Sequence, residues 1–285
     1  MINSMNTNVR NMNTIRQTQA VGNRQNQAQQ RLASGQRINR AADDAAGLAI
    51  SERIHNLIRG LDQAFRNSAD GVSMVQVAEG ALGSVNDMLG RARELTVQAA
   101  NDTLTSQQRS IIQAEVSQIL QEVDTVARNT NFNTQTLLDG DPNHQFGLQT
   151  GANAGQRLDV LINSMNLNGL ELDNYAGLFE VAAASSIPLG GRALSGMLDN
   201  IDRAANFVTE QRANLGAVQN RLEHTMNNLQ TASINQSAAN SRIRDTDMAR
   251  ESMNLAVANI LQNASIAMQV HNNANAGAML QLLRR

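Results

Sequence analysis

"ISERIHNLIRGLDQAFRNSADGVSMVQVAEGALGSVNDMLGRARELTVQA", Ile50 to Ala99, is the stretch whose reading decides the architecture. Ile54, Leu61, Ser68, Val75, Leu82 and Leu89 recur seven residues apart. Ile50, Leu57, Ala64, Gly71, Ala78, Val85, Ala92 and Ala99 form a second row at the same interval. Two rows at that period approximate the a and d positions of a helical seam. The second row is small, so a neighbouring helix is expected to approach closely. A helix over about 41–99 would be roughly 90 Å long, too long for the core of a compact globule. Gly60, Gly71, Gly80, Gly83 and Gly90 each cost about 1 kcal/mol of helix propensity relative to Ala, which packing is expected to offset.

Matching seams lie further along. After a short turn, Thr105 is placed to cap a helix over about 105–128 whose stripe is Ile112, Val116, Ile119, Val123 and Val126. So short a turn makes the two helices antiparallel neighbours. From about 192 to 235, Ile201, Val208, Leu215, Leu222 and Leu229 again fall seven apart. Between these helices, Phe146 and Leu148, then Leu158, Val160 and Ile162, alternate among Gly and Asn, which predicts a β-hairpin region at about 137–163. Residues 164–189 have no clean period and contain Pro188, so they read as connector. The expected fold is mainly α: a long antiparallel coiled-coil or helical-bundle rod with a small β-hairpin region. Its core packing is assigned to Ile54, Leu61, Val75, Leu82, Leu89, Ile112, Ile119, Ile201, Val208, Leu215, Leu222 and Leu229.

Composition supports a thin bundle. Aromatics are 2% of the 285 residues, with no Trp, so the core must be built from Ala, Leu, Ile, Val and Met. Only two prolines occur, which leaves long helices uninterrupted. The formal net charge of -2 gives no electrostatic basis for nucleic-acid binding. The absence of cysteine excludes disulfides and thiolate chemistry. No stretch is long and apolar enough for a spanning helix, and "MINSMNTNVRNMNTIRQTQ" has no signal-peptide core. Export would then use a route without a cleaved signal peptide. Asn and Gln are abundant towards both ends; a solvated helix face and an uncharged surface that hydrogen-bonds copies of itself both fit, and composition does not separate them.

The charged segment "RINRAADDAAGLAISERI", Arg37 to Ile54, invites a catalytic reading. Neighbouring carboxylates on a helix point about 100° apart, so Asp43 and Asp44 do not form a facing acid/base pair. A joint between helices is favoured. Ser34-Gly35 would end the first helix, Asn39 would cap the next, and Asp43 and Asp44 would lie in its first turn or just beyond. His55, His144, His224 and His271 share no helix face at metal-ligand spacing, and nucleophile and phosphate-loop motifs are absent. No catalytic, cofactor-binding or metal residues are assigned, and no cofactor is expected. The methionines read as gap-filling core or interface.

The terminal segments are weaker. Met5, Val9, Met12 and Ile15 start a stripe that fades, and the last segment carries Ile243, Met253, Ile260, Ala264, Ala267, Met268 and His271 before "GAMLQLLRR". These segments can pair with each other, but such a pair buries too little to stand alone. Their remaining apolar surface is expected to meet other copies of the chain in an open helical array. Self-assembly is assigned to Val9, Met12, Ile15, Arg31, Arg37, Asn39, Arg40, Asp43, Asp44, Ile260, Ala264, Ala267, Leu280 and Leu283.

Several ordered motifs also carry a resemblance: "RLASGQRINRAADDAAGLAISERI" (Arg31–Ile54), "LGRARELTVQAAN" (Leu89–Asn101), "IQAEVSQI" (Ile112–Ile119), "FNTQTLLDG", "LQTGANAGQ", "QRANLGAVQNRLEHTMNNL" (Gln211–Leu229) and "ANSRIRDTDMARE" (Ala239–Glu251). Over about 1–162 and 190–285 the chain resembles bacterial flagellin, in a minimal form without large outer domains. The resemblance implies paired terminal helices, 1–40 and 240–285, that form the filament core. It implies a rod domain of 41–180 and 190–239, with 181–189 as connector. The implied function is a structural, non-enzymatic subunit of the extracellular flagellar filament, exported by the flagellar type III apparatus and serving motility. The alternative is a hook–filament junction protein of the same helical design. Implied partners are many copies of itself, an export chaperone, the filament cap, hook-junction proteins and the vertebrate innate immune receptor for flagellin. Nucleic acid and membrane insertion are not implied. Recognition by that receptor falls on Arg91, Leu95 and Glu115, and Gly90 departs from the usual Gln.

Overall fold

The structure is a computed structural model that describes residues 9–139, 145–172 and 190–283, without the side chains of Arg10, 190–194, 276, 277 and 279–283. Five helices occur among the described residues: α1 (Val9–Ser34), α2 (Ala45–Ala99), α3 (Ser106–Asn129), α4 (Gly190–Arg244) and α5 (Met248–Leu283). Two antiparallel hairpins complete the fold. β1 (Asn131–Phe132) pairs with β2 (Gln135–Thr136), and β3 (Gln145–Gln149) with β4 (Arg157–Leu161). The chain divides into two compact units, Met1–Ile58 with Ile234–Arg285, and Arg59–Ser233. Both boundaries lie inside helices, α2 and α4. Glu52 of α2 and Arg244 of α4 form an ion pair at 2.9 Å within the unit that holds both chain ends.

In the unit Arg59–Ser233, one core holds the inward faces of α2, α3, α4 and the β3–β4 hairpin. Val75, Leu82, Leu89, Ile201, Val208, Leu215 and Leu222 are fully buried there and Ile112 nearly so, while Leu61 and Leu229 are nearly buried outside that cluster. Ile119 is half-buried against the same core. Ile54, also half-buried, belongs to the other unit instead, four residues before the boundary at Ile58. At roughly 1.5–3 kcal/mol for each buried aliphatic side chain, burial of this seam is a large favourable contribution in the unit.

Polar contacts fix the directions. Arg91 meets Glu115 at 3.1 Å, and Arg109 donates to the Asn101 carbonyl at 3.1 Å, so α3 returns along α2. Arg93–Asp202 at 2.6 Å and Ser233–Asp62 at 3.0 Å place α4 antiparallel to α2. Thr105 caps α3 with a complete capping box: its Oγ1 accepts from the Gln108 N–H, and Gln108 Oε1 accepts from the Thr105 N–H.

The hairpin register pairs Leu148 with Leu158 and Phe146 with Val160. Phe146, Leu158 and Val160 point inward, the alternation expected of a strand with one buried face. The β1–β2 hairpin lies before the expected bounds of about 137–163 and overlaps the FNTQTLLDG motif. Its central residues Asn133 and Thr134 have φ of 49° and 68°, a turn that normally selects Gly.

Beyond Gly47, which packs against the joint residues Asp44 and Ile38, the glycines of α2 separate into two groups. A Cβ on Gly71 would lie 2.5 Å from Leu148 Cδ1, and one on Gly60 would lie 3.0 Å from Ala152 Cβ. Close hairpin packing accounts for both. Gly80, Gly83 and Gly90 face open space, so packing within the chain does not offset their cost.

Candidate self-assembly surface

The joint is built from both ends of the unit Met1–Ile58 with Ile234–Arg285. Gly35, at φ 70°, ends α1, and its N–H donates to the Arg31 carbonyl. The chain then pairs with the segment between α4 and α5. The Arg37 N–H donates to the Arg244 carbonyl at 2.7 Å, and the Thr246 N–H to the Gly35 carbonyl at 2.9 Å. Side chains brace this bridge. Arg37 donates to the Ile243 carbonyl, and Arg244 reaches Gln36 Oε1 at 3.0 Å and Glu52 Oε1 at 2.9 Å. Ile38 is fully buried beneath it.

The capping assignment is corrected here. Asp44, not Asn39, caps α2: its Oδ1 accepts from the Gly47 N–H at 2.8 Å. Asn39 instead donates to Ser34 Oγ at 2.8 Å, which closes the end of α1. Asp43 lies before the helix, where its carboxylate accepts the N–H groups of Arg40 and Asn39 and the Gln27 amide. The Arg40 N–H bond is the largest influence on Asp43, and its carboxyl is held below the usual range. The two carboxylates thus tie separate turns and share no site.

Beyond the joint, α1 and α5 pair through an unexpected face. Gln25 donates to Asn259 at 2.8 Å and Asn272 to Thr14 at 3.0 Å, so the helices run antiparallel. Arg31 lies 3.9 Å from the nearly buried Glu251, which also accepts from Asn254. The buried apolar residues of this seam are Val21, Ala28 and Ala258. Two of the three are alanines, so the pair gains little from burial.

The larger apolar side chains point outward. Val9, Met12 and Ile15 are exposed on α1, and Met253, Val257, Ile260, Leu261, Ile266, Met268 and Val270 on α5, with Ile260 at 67%. Ala264 and Ala267 are exposed in the same band. Leu280 and Leu283 lie outside the described side chains. Exposed apolar side chains in such number on a folded helix pair mark surface that another molecule covers. Its orientation had a sequence signal. Asn11, Thr14, Thr18, Val21, Gln25, Ala28 and Leu32 keep an unbroken alternation of three and four, whereas the apolar stripe fades after Ile15.

On the other unit, Arg91 and Glu115 form an exposed ion pair, and Arg91 also meets Glu94 at 3.1 Å. Its hydrogen bond to Glu115 raises the Arg91 pKa. Leu95 does not sit exposed between them. It is 3% exposed and part of the core, because its position on α2 faces inward. Gln211 was also missed. It is 2% exposed in the α4 seam, donates to the Leu161 carbonyl at 3.0 Å and accepts from Asn163 at 3.1 Å. A polar residue interrupting an apolar seam between Val208 and Leu215 is the signal that could have revealed it.

Among the described residues, no group of three or more His, Asp or Glu could hold a metal ion. None of their helices is long and apolar enough to cross a membrane.

Two family models match the chain: the bacterial flagellin N-terminal helical region over residues 5–142, and the bacterial flagellin C-terminal helical region over residues 198–283. A flagellin of Halalkalibacterium halodurans is 45% identical over 280 residues, covering 98% of this chain and 99% of that protein. A flagellin of Bacillus subtilis is 42% identical over 307 residues, again covering 98% and 99%. The structure of a putative flagellar hook-associated protein from Vibrio parahaemolyticus shares the fold, with a TM-score of 0.63 and 15% identity, covering 71% of this chain and 100% of that one.

Proposed function

The chain belongs to the bacterial flagellin family, and from that premise we propose that the outward apolar band of α1 and α5 is the surface through which its copies polymerise. It is a minimal flagellin without a large outer domain, a structural subunit of the flagellar filament that serves motility, and not an enzyme. The observation that carries the assembly reading is the inverted helix pair. Its polar and small residues face inward, and Val9, Met12, Ile15, Val257, Ile260 and Met268 face solvent. Each such aliphatic side chain gains roughly 1.5–3 kcal/mol when a second copy covers it. Arg31, Arg37, Asn39, Arg40, Asp43 and Asp44 set the angle at which the pair leaves the joint. Ala264 and Ala267 allow close approach within the band.

Finer readings follow from family membership. Export to the cell exterior without a cleaved signal peptide, an export chaperone, the filament cap and neighbouring junction proteins fit a subunit that adds at a distal tip. Recognition by the vertebrate innate receptor for flagellin draws support from the exposed Arg91–Glu115 pair, with Leu95 supporting that face from beneath. The hook–filament junction reading gains nothing from the Vibrio structure, whose 15% identity establishes the fold alone.

Seeded growth tests the proposal. Purified chain is added to short filament fragments and followed by light scattering and electron microscopy. Long filaments are expected; rings or a stable monomer at high concentration would overturn the reading.

A further inference from the structure

The methionines whose side chains the structure describes differ in environment. Met74, Met165 and Met197 are buried in the core of Arg59–Ser233, while Met88 and Met226 are half-buried. Met12, Met248, Met253 and Met268 are exposed, at 49, 49, 63 and 56% respectively. All four lie on α1 or α5, among Val9, Ile15, Val257, Ile260, Ile266 and Val270. Valine, isoleucine and leucine would supply the same apolar surface with no reactive atom. Methionine adds a thioether, which a two-electron oxidant converts to a polar, chiral sulfoxide.

We infer that these exposed thioethers form a redox gate on subunit addition, written by a peroxide-class oxidant. The inference rests on the assembly reading above. In the reaction the thioether sulfur attacks one peroxide oxygen. An S–O bond forms, the O–O bond breaks, sulfur loses two electrons, and the second oxygen leaves as water. The product keeps roughly the size of methionine but carries a strong hydrogen-bond acceptor. Burial in an apolar contact leaves that acceptor unsatisfied, which opposes assembly. In the free chain the four sulfurs meet solvent. Once another copy covers the band they are shielded, so oxidation discriminates between free and assembled subunits. The modification is reversible by a methionine sulfoxide reductase activity. The rod core lies outside the gate, because Met74, Met165 and Met197 are buried within the single copy.

The test uses the full chain. Monomer is treated with hydrogen peroxide, its oxidised positions are mapped by peptide mass spectrometry, and seeded growth is then followed by light scattering. Met12, Met248, Met253 and Met268 are expected to oxidise at least about tenfold faster than Met74, Met165 and Met197. Growth should slow on the order of 100-fold, and treatment with sulfoxide reductases should restore it. Filaments given peroxide after assembly should keep the four sulfurs reduced. The combined variant M12L, M248L, M253L and M268L should grow equally well with and without peroxide. Oxidised chain growing at the untreated rate, or the Leu variant losing growth to peroxide as the parent does, would overturn the gate. If the Leu variant does not assemble at all, reductase rescue of the oxidised parent decides. Failure of untreated parent chain to grow would instead count against the assembly reading.

Discussion

Helices α4 and α5 use nearly the same pattern to opposite ends. In α4, Ile201, Val208, Leu215 and Leu222 turn inward, and apart from the buried Gln211 the polar residues between them are half-buried or exposed. In α5, Glu251 and Ala258 turn inward while Met253, Val257, Ile260, Leu261 and Ile266 face out. Periodicity reports which residues share a face. Which way the face looks depends on what the rest of the chain offers. Helix α4 meets two other apolar helices and a hairpin, enough to satisfy its seam. Among the described residues helix α5 packs against α1, whose facing residues include Thr14, Val21, Gln25, Ala28 and Arg31, and its larger apolar side chains remain exposed within one copy.

The strongest way to break this contrast is to place charge on the outward band. The paired change Val257→Asp and Ile260→Asp should reduce seeded growth by more than about 1,000-fold, since each buried carboxylate would lack a counter-ion. Thermal unfolding of the monomer should barely move, because both positions are exposed in the free chain. Growth at the parent rate would mean that the band faces nothing in the polymer. The mirror experiment is Leu215→Ala in the buried α4 seam. It should cost about 2–5 kcal/mol of stability by chemical denaturation, from lost transfer energy and the cavity left behind. A loss under about 0.5 kcal/mol would show that α4 is not held by its seam.

The rod was more legible in the sequence than the terminal pair, for a physical reason. Its stripes are strong, their partners lie in the same chain, and the small row of Ala64, Ala78 and Ala92 marks close approach. Leu95 shows the limit of reading positions singly. A residue can belong to a functional-looking constellation and still fall on the inward face of its helix. The joint was legible as a joint, yet its cap was misplaced by five residues, from Asp44 to Asn39, because both residue types accept backbone N–H groups equally well. The Arg37 and Arg244 bridge joins segments far apart in the chain, and no local pattern encodes such a pairing.

A smaller effect sharpens the description of the α4 seam, where Gln211 is the polar exception. Gln211→Ala should cost about 1–3 kcal/mol, since it leaves the Leu161 carbonyl and the Asn163 amide without their partner. The loss should appear in denaturation of the monomer. Hydrogen exchange should quicken around Leu161 and Asn163 before it quickens in the α4 helix itself. Equal quickening along α4 would indicate that Gln211 supports the seam generally rather than anchoring the hairpin edge.

The smallest effect asks whether the outer surface of α2 resembles the rod interior or the terminal band. Gly80, Gly83 and Gly90 lie in a long helix, and a Cβ at each would meet nothing within 4 Å. Replacing them singly by Ala should therefore stabilise the monomer by about 0.5–1 kcal/mol, through reduced backbone freedom in the unfolded chain. Gly71→Ala provides the contrast, because its added methyl would press into Leu148 and lower stability. Assembly then discriminates between two explanations for the open glycines. If a second copy packs against α2 there, the stabilised Ala variants will polymerise more slowly than the parent, as the methyl holds the neighbouring backbone away. If the surface stays in solvent, they will polymerise at the parent rate while melting at a higher temperature. A stability gain without a growth defect at all three positions would leave the α1–α5 band as the surface that an isolated copy leaves uncovered.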